Sequence, residues 1–362
     1  MEKRNLLFYI NSIGGGGAER VIVHVASLFS KNGYNVIMVT SFSKKNEYPL
    51  EAGIKYISLE KADEKQSWIK RNISRVVKLR NICKKEKPDV VISFMAEPNY
   101  RALVATFGMK VKNIISVRSD PNYEYAGIIG NFLGKYLLPV ADGCIFQTED
   151  AKNWFPKKLQ KKSRIICNAV REEFYEVNYK PVSDRIVTCG RLEEAKNHKL
   201  LIDVFTAIAA KYPEAKLLIY GEGKMKDKLQ KQISKNGMDN RIQLMGRTNN
   251  VAEILAEACV FILPSIVEGM PNALMEAMAV GVPCISTDCP CGGPRMLLSA
   301  EKTGILVRNN DQTEMVNALD YFLENKERRL SYGRNAKRAA EKYRSKYVFQ
   351  EWKEYVEYIL CE

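Results

Sequence analysis

Histidine is nearly absent from this chain. Only His24 and His198 are present, too few to build a metal centre or a proton relay from clustered imidazoles. No D-x-D pair occurs, so a common carboxylate clamp for a divalent cation on a diphosphate is missing. No apolar run reaches the roughly 18 residues that a membrane-spanning helix needs. No leader pattern precedes the first strand: Met1-Glu2-Lys3-Arg4 runs straight into the apolar Leu6–Asn11, which sets the expectation of a cytoplasmic protein. The nine cysteines are odd in number and scattered, which suits reduced thiols rather than a disulfide framework. Cys289 and Cys291 are the nearest pair, but a lone C-P-C is a poor zinc site, and no metal is expected. No internal repeat or low-complexity tract is visible.

What is present suits two domains. At 362 residues and 46% hydrophobic content there is material for two full cores. Apolar strand-like runs alternate with helical stretches of roughly 10–15 residues, the pattern of parallel sheets built from βαβ units, so the expected class is α/β. The net charge of +14 is uneven. Residues 1–165 hold 28 Lys/Arg against 15 acids, whereas 166–362 hold 28 against 27. Such an excess on one half points to a polyanionic partner, an anionic membrane surface or a nucleic acid, with a merely solubilising lysine-rich surface as the plain alternative. Within that half Lys65–Lys87 reads as an amphipathic helix. Nine Lys/Arg and one acid interleave with Trp68, Ile69, Ile73, Val76, Val77, Leu79 and Ile82, as in helices that lie on anionic lipid. Tyr125–Val140, with Ile128, Ile129, Phe132, Leu133 and Tyr136, is a second candidate of this kind.

The most informative run is PSIVEGMPNALMEAMAVGVPCIST, residues 264–287. It reads strand, loop, helix, strand. The apolar Cys259–Leu263 ends at Pro264, Glu268-Gly269-Met270 turns the chain, and Pro271 fits the first helical position. Ala273–Ala279 carries the helix to Gly281, and Val282–Ser286 is the next expected strand. A helix N-terminus attracts phosphate through its N–H groups and dipole. Glu268 and Glu276 bracket that point, and a carboxylate beside phosphate best faces something uncharged, such as sugar hydroxyls. Upstream, GRLEEAKNH places Arg191 and Lys196 at the carboxyl end of the expected strand Arg185–Arg191. That is where α/β sheets bind ligands, and where a guanidinium fork and an ammonium match a diphosphate. Near the N-terminus Gly14–Gly17 form a strand-to-helix loop. Its spacing is not that of a dinucleotide fingerprint, because Glu19 or Arg20 stands where the third glycine belongs.

These motifs carry a resemblance. EGMPNALME is an E-x7-E element, GRLEEAK is a G-R-x4-K pair, and GGGGAER is similar to the first loop of retaining glycosyltransferases of family GT4. The resemblance covers nearly the whole chain. It implies the GT-B fold: two facing Rossmann-like domains with parallel sheets and an inter-domain cleft. It places an acceptor-side domain at 1–167, a nucleotide-sugar domain at 168–345, and a C-terminal helix, 346–362, packing back on the first. The implied donor is a UDP-sugar, with no further cofactor and no metal. Arg191 and Lys196 would neutralise the leaving diphosphate, and Glu268 would meet the hexose; these three are the implied catalytic set. The backbone of Gly269, Met270, Pro271, Asn272 and Ala273 would face the phosphates, and Glu276 would hold the ribose. Gly15, Gly16, Gly17, Gly221 and Arg247 would complete the donor contacts.

One departure from the family pattern stands out. Many members carry a histidine at the end of an N-domain strand, where this chain has SVRSDP, residues 116–121. Arg118, Asp120 and Asn99 (of EPNYRAL) are the acceptor-side candidates in its place. SVRSDP, EPNYRAL and TDCPCGGPR look closest to bacterial transferases that extend polyisoprenyl-diphosphate-linked oligosaccharides in cell-surface polysaccharide assembly, including those adding α-linked N-acetylgalactosamine. The implied acceptor is then a polyisoprenyl-diphosphate-linked saccharide. The implied location is the anionic inner face of the plasma membrane, with attachment peripheral and no nucleic acid involved. The transferred sugar stays open among Gal, GalNAc and GlcNAc. Two other functions were weighed: a UDP-sugar 2-epimerase of the same fold, which needs histidines this chain lacks, and a non-enzymatic basic protein binding nucleic acid, which leaves Arg191, Lys196, Glu268 and Glu276 without a role.

Overall fold

A computed structural model describes residues 3–60, 67–182 and 185–361. The chain divides into two compact units, Met1–Ala169 with Ser345–Glu362, and Val170–Arg344. The boundaries fall one or two residues from the expected ones. Each unit is built on one parallel sheet, and each sheet changes direction once.

In the first unit the strands are β1 (Asn5–Ile10), β2 (Asn35–Thr40), β3 (Lys55–Ser58), β4 (Val90–Phe94), β5 (Lys112–Ser116), β6 (Gly143–Phe146) and β7 (Ser163–Ile165). Their order is β3-β2-β1-β4-β5-β6-β7, so the switch point lies between β1 and β4. β1 and β4 are almost wholly apolar and buried, as a strand covered on both faces must be. Helices α1 (Gly17–Lys31), α2 (Trp68–Glu86) and α3 (Ala96–Thr106) make the crossovers. The final helix, Ser345–Cys361, buries Trp352 and Tyr355 in this unit's core. Trp352 stacks on Phe94 at 5.9 Å, and the Tyr355 hydroxyl accepts from the Cys144 N–H at 2.8 Å.

The second unit holds β8 (Arg185–Cys189), β9 (Lys216–Tyr220), β10 (Ile242–Gly246), β11 (Val260–Leu263), β12 (Cys284–Asp288) and β13 (Ile305–Arg308). The order β10-β9-β8-β11-β12-β13 puts the switch between β8 and β11. Ligands of open parallel sheets bind at the carboxyl ends of the strands flanking that point. Here those ends lead into Gly190-Arg191 and into Pro264–Glu268.

Three expected elements differ from those found. Residues 65 and 66 of the expected basic helix lie outside the described residues, and α2 is described from Trp68. The strand after Gly281 starts at Cys284, not Val282. Gly281 adopts a left-handed φ of 98° and Val282 donates back to the Ala277 carbonyl at 3.0 Å, which closes the preceding helix. Tyr125–Val140 is not one helix: a 3₁₀-helix spans Leu138–Val140, a π-turn Leu133–Leu137, and α5 covers Gly127–Phe132, after the short α4 (Pro121–Glu124). Pro139 has no N–H to continue an α-helical ladder.

Candidate functional site

The second unit gathers its charged groups at the β8–β11 switch. β8 ends at Cys189, and the loop that follows packs backbone to backbone on the loop after β9. A Cβ at Gly221 would lie 1.8 Å from the Gly190 carbonyl oxygen, and one at Gly223 would lie 2.4 Å from that of Leu192. Only glycine fits either place. The chain then makes a 3₁₀ turn, Glu194–Lys196, closed by Asn197 at φ 50°. The loop after β11 is tied to it, Ile266 N–H donating to the Ala195 carbonyl at 2.8 Å. These two loops bring Lys196 and Glu268 together.

Lys196 Nζ meets Glu268 Oε1 at 2.5 Å. Ser265 Oγ donates to the same oxygen at 2.7 Å, and Thr287 Oγ1 holds the Ser265 carbonyl at 2.5 Å. Asn309 Nδ2 donates to the Ile266 carbonyl at 2.8 Å. One carboxylate oxygen is thus held by an ammonium and a hydroxyl, and Oε2 remains to accept from a ligand. Cys289 lies beside this pair. Burial, then the Glu268 charge, push its thiol up to about 12, so it stays neutral.

Glu268 leads into the helix Asn272–Val280, whose N-cap is Pro271. The expectation put Pro271 at the first helical position; instead its carbonyl accepts from Leu274 and Met275 N–H, the bonds an N-cap makes. The positive end of this helix dipole lies at residues 270–273, and Gly293 packs against it so closely that a Cβ would lie 1.8 Å from the Gly269 carbonyl oxygen. Glu276 is buried one turn in, and its charge is among the causes that raise the Cys189 thiol at the end of β8, after burial itself. Arg191 is different. Its side chain is 62% exposed and, among the described residues, pairs only with Glu193, at 3.1 Å. Arg247 is exposed after β10, two strands from β8, and carries no hydrogen bond or ion pair among the described residues.

Beside this group His198 starts the helix His198–Ile208. Neither ring nitrogen has a hydrogen-bond partner among the described residues. Burial pushes its pKa down to about 4, so the imidazole is neutral. Lys196, held by Glu268, and the helix N-terminus that follows Glu268 make a cationic corner at this end of the sheet, with Arg191 at the end of β8 turned outward to Glu193 and Glu276 one turn inside the helix.

In the first unit the other expected site residues lie at and after the carboxyl ends of β1, β4 and β5. Gly15, at φ 86°, has nothing within 4 Å of where a Cβ would stand, whereas a Cβ at Gly16 would strike the Glu19 carboxylate folded back over the loop. Gly17 begins α1. After β5, Arg118 stacks on Phe94 at 4.5 Å and donates to Asn168 Oδ1 and Ser116 Oγ; burial pushes its pKa down to about 9. Asp120 caps α4, accepting from the Asn122 N–H at 2.9 Å. Asn99 is fully buried and links β4 to β5, donating to the Ser116 carbonyl at 3.1 Å and accepting from Ser93 Oγ at 2.8 Å.

The sequence reading passed over Glu124. Its Oε1 accepts from the Ala96 N–H at the start of α3, 2.7 Å away, while Oε2 is enclosed with no hydrogen-bond partner of ordinary geometry among the described residues. Burial raises its pKa to about 7. Only its place three residues after a Pro-headed turn hinted at this. Ser265 was also passed over, although it stands three residues before Glu268.

The family model described as Glycosyltransferase Family 4 matches residues 15–174, and the one described as Glycosyl transferases group 1 matches residues 171–339. The chain is 28% identical over 350 residues to an uncharacterised glycosyltransferase of Haemophilus influenzae, covering 96% of this chain and 98% of that one. It is 28% identical over 360 residues to a Campylobacter jejuni enzyme, N-acetylgalactosamine-N,N'-diacetylbacillosaminyl-diphospho-undecaprenol 4-alpha-N-acetylgalactosaminyltransferase, covering 95% and 96%. Among solved structures, Anabaena HepE in complex with UDP-glucose superposes with a TM-score of 0.82 at 16% identity, covering 98% of this chain and 99% of that one. At that identity the likeness speaks for the fold, which is the GT-B fold.

Proposed function

The chain belongs to glycosyltransferase family 4, and we propose that it moves a hexose or N-acetylhexosamine from a UDP-sugar to a polyisoprenyl-diphosphate-linked saccharide, with retention and without a metal. The observation that carries this is the cationic corner at the β8–β11 switch, with Lys196 and Glu268 in contact and a helix N-terminus beside them. Breaking the bond from the anomeric carbon to phosphate leaves charge on the diphosphate. Lys196, Arg191 and the dipole at residues 270–273 stabilise that charge as it forms. Arg191 is exposed and lightly held, so it can swing onto the phosphates. Glu268 Oε2 accepts a hexose hydroxyl, and Glu276 takes the ribose diol. The printed substrate of the Campylobacter relative supports the lipid-linked acceptor, and the UDP-glucose bound to the Anabaena protein supports the donor.

The acceptor brings the enzyme to a membrane. No described helix is long and apolar enough to cross one; the proposed attachment is peripheral, to the anionic inner face. The first unit offers a surface for it. α2 exposes Ile69, Ile73 and Val77, one apolar stripe with a period of four, and the 127–140 segment exposes Ile128, Ile129, Phe132 and Tyr136, with Ile128 91% exposed. α3 packs against both. The test of the function is UDP release from UDP-Gal, UDP-GalNAc, UDP-GlcNAc and UDP-Glc, each with a short polyisoprenyl-diphosphate saccharide. Acceptor-dependent release from one donor, with an α-linked product, is expected. No release from any donor would refute it.

A further inference from the structure

A cavity in the first unit lies at the opposite end of the sheet from its glycine loop. It has a volume of about 790 Å³ and opens at the amino ends of β4 and β5. Cys83, Pro88, Met109 and Val111 supply apolar lining, and Lys84, Lys87, Lys110 and Lys112 supply four ammonium groups. The two acids that share the cavity are already engaged. Asp89 accepts from the Asn5 N–H at 2.7 Å and faces Arg4 at 3.6 Å. Asp142 accepts from the Asn113 N–H at 2.8 Å and faces Lys112 at 3.8 Å.

That leaves Lys84, Lys87 and Lys110 with no ion pair among the described residues. The negative end of the α2 dipole favours Lys84 and Lys87. It does not account for Lys110, which arrives from the loop between α3 and β5. Lysines from separate elements lining one partly apolar hollow give it a positive potential that an anion relieves. We propose that this groove binds a phosphate-bearing anion with an apolar arm, the phosphate on Lys84, Lys87 and Lys110 and the arm on Met109 and Val111. The site is separate from the donor corner, which lies in the other unit, so its test is independent of the transfer reaction.

Two sources offer this chemistry, a soluble phosphate compound and a phospholipid headgroup. Trace acetylation of the intact chain, read lysine by lysine by mass spectrometry, separates them. One arm adds millimolar inorganic pyrophosphate; the other adds phosphatidylcholine vesicles with or without phosphatidylglycerol. Several-fold protection of Lys84, Lys87 and Lys110 is expected, with Lys226, Lys228 and Lys231 in the second unit as controls. Protection by pyrophosphate identifies a soluble phosphate compound as sufficient. Protection only by phosphatidylglycerol vesicles identifies a headgroup. Replacing Lys84, Lys87 and Lys110 by Gln should weaken whichever binding is found, by about fivefold per lysine, while UDP release stays at the wild-type rate. Equal protection of the control lysines, no protection in either arm, or unchanged binding by the triple variant would overturn the site.

Discussion

Lys196 and Glu268 stand 72 residues apart in sequence and 2.5 Å apart in space. On the proposed donor reading, the ammonium that meets the donor phosphate is held in place by Glu268. Ser265 shares the same carboxylate oxygen, which fixes the direction in which Oε2 points. A diphosphate arriving at this corner completes the ring of charge around Lys196 rather than meeting a loose side chain, which limits the ordering cost of binding.

Replacing Lys196 or Arg191 by Ala should lower turnover by about 10²–10³, the scale for removing one preorganised group from developing charge. Arg191 is exposed, and its ion pair with Glu193 is a surface one that contributes little. Its variant should thus keep its thermal unfolding temperature while losing rate. UDP release alongside thermal melts reads both. Wild-type turnover in both variants would remove the assigned role.

Metal dependence gives a second check. Positive charge at the site comes from Lys196, Arg191 and a helix terminus, and no metal-binding cluster of His, Cys, Asp and Glu is found among the described residues. Turnover should survive EDTA. Loss on chelation, with rescue by magnesium or manganese, would mean that these groups are not sufficient.

Acid should act on the two units in opposite directions. Unfolded His198 takes its proton near pH 6.5, whereas folded His198 resists until about 4. Between those values the unfolded state carries the extra proton, so the second unit loses stability as pH falls, on the order of 3 kcal/mol in full. Glu124 has the other sign. Its folded pKa of about 7 lies above the ordinary carboxylate value, so the folded first unit binds the extra proton and gains stability as pH falls from 7 towards 4.5. Trp68, Trp154 and Trp352 all lie in the first unit, so tryptophan fluorescence follows that unit alone. Its melt should rise on acidification and lose that rise in Glu124→Gln. The remaining circular-dichroism transition should fall, and His198→Gln should flatten it. Identical pH slopes in wild type and variants would contradict both assignments.

The positions of the proposed donor corner could be placed from sequence because they sit in local grammar. Arg191, Lys196 and Glu268 follow strands and Glu276 lies in the first turns of a helix, and parallel sheets put such positions at one end. What joins them was not legible. The contact of Lys196 with Glu268 depends on β8 and β11 being neighbours, a property of strand order and not of spacing. Glu124 needed α4 to be laid against the first turn of α3. Asp120 read as a site residue, but Ser-Asp-Pro-Asn is also a helix-capping sequence, and in the fold its carboxylate caps α4. The helical period of Tyr125–Val140 was present, yet it could not tell a face turned to the core from one left outside.

That outer face carries the last prediction. Charge attraction to anionic lipid is screened beyond roughly 8 Å at physiological ionic strength, so the part of membrane binding owed to lysines should fade as salt rises. Apolar contact is not screened. Each of Ile128, Ile129 and Phe132 that leaves water contributes about 1.5–3 kcal/mol at full burial, which should leave a salt-resistant remainder. Co-sedimentation with phosphatidylcholine–phosphatidylglycerol vesicles at low and high salt separates the two. Lys70→Glu with Lys85→Glu should weaken the low-salt component, because both lysines are exposed on α2. Ile128→Ser with Phe132→Ser should abolish the high-salt remainder, and neither pair should slow UDP release on a short soluble acceptor. Binding that ignores salt and both pairs of substitutions would reduce the basic first unit to a solubility device and leave these exposed side chains without a membrane role.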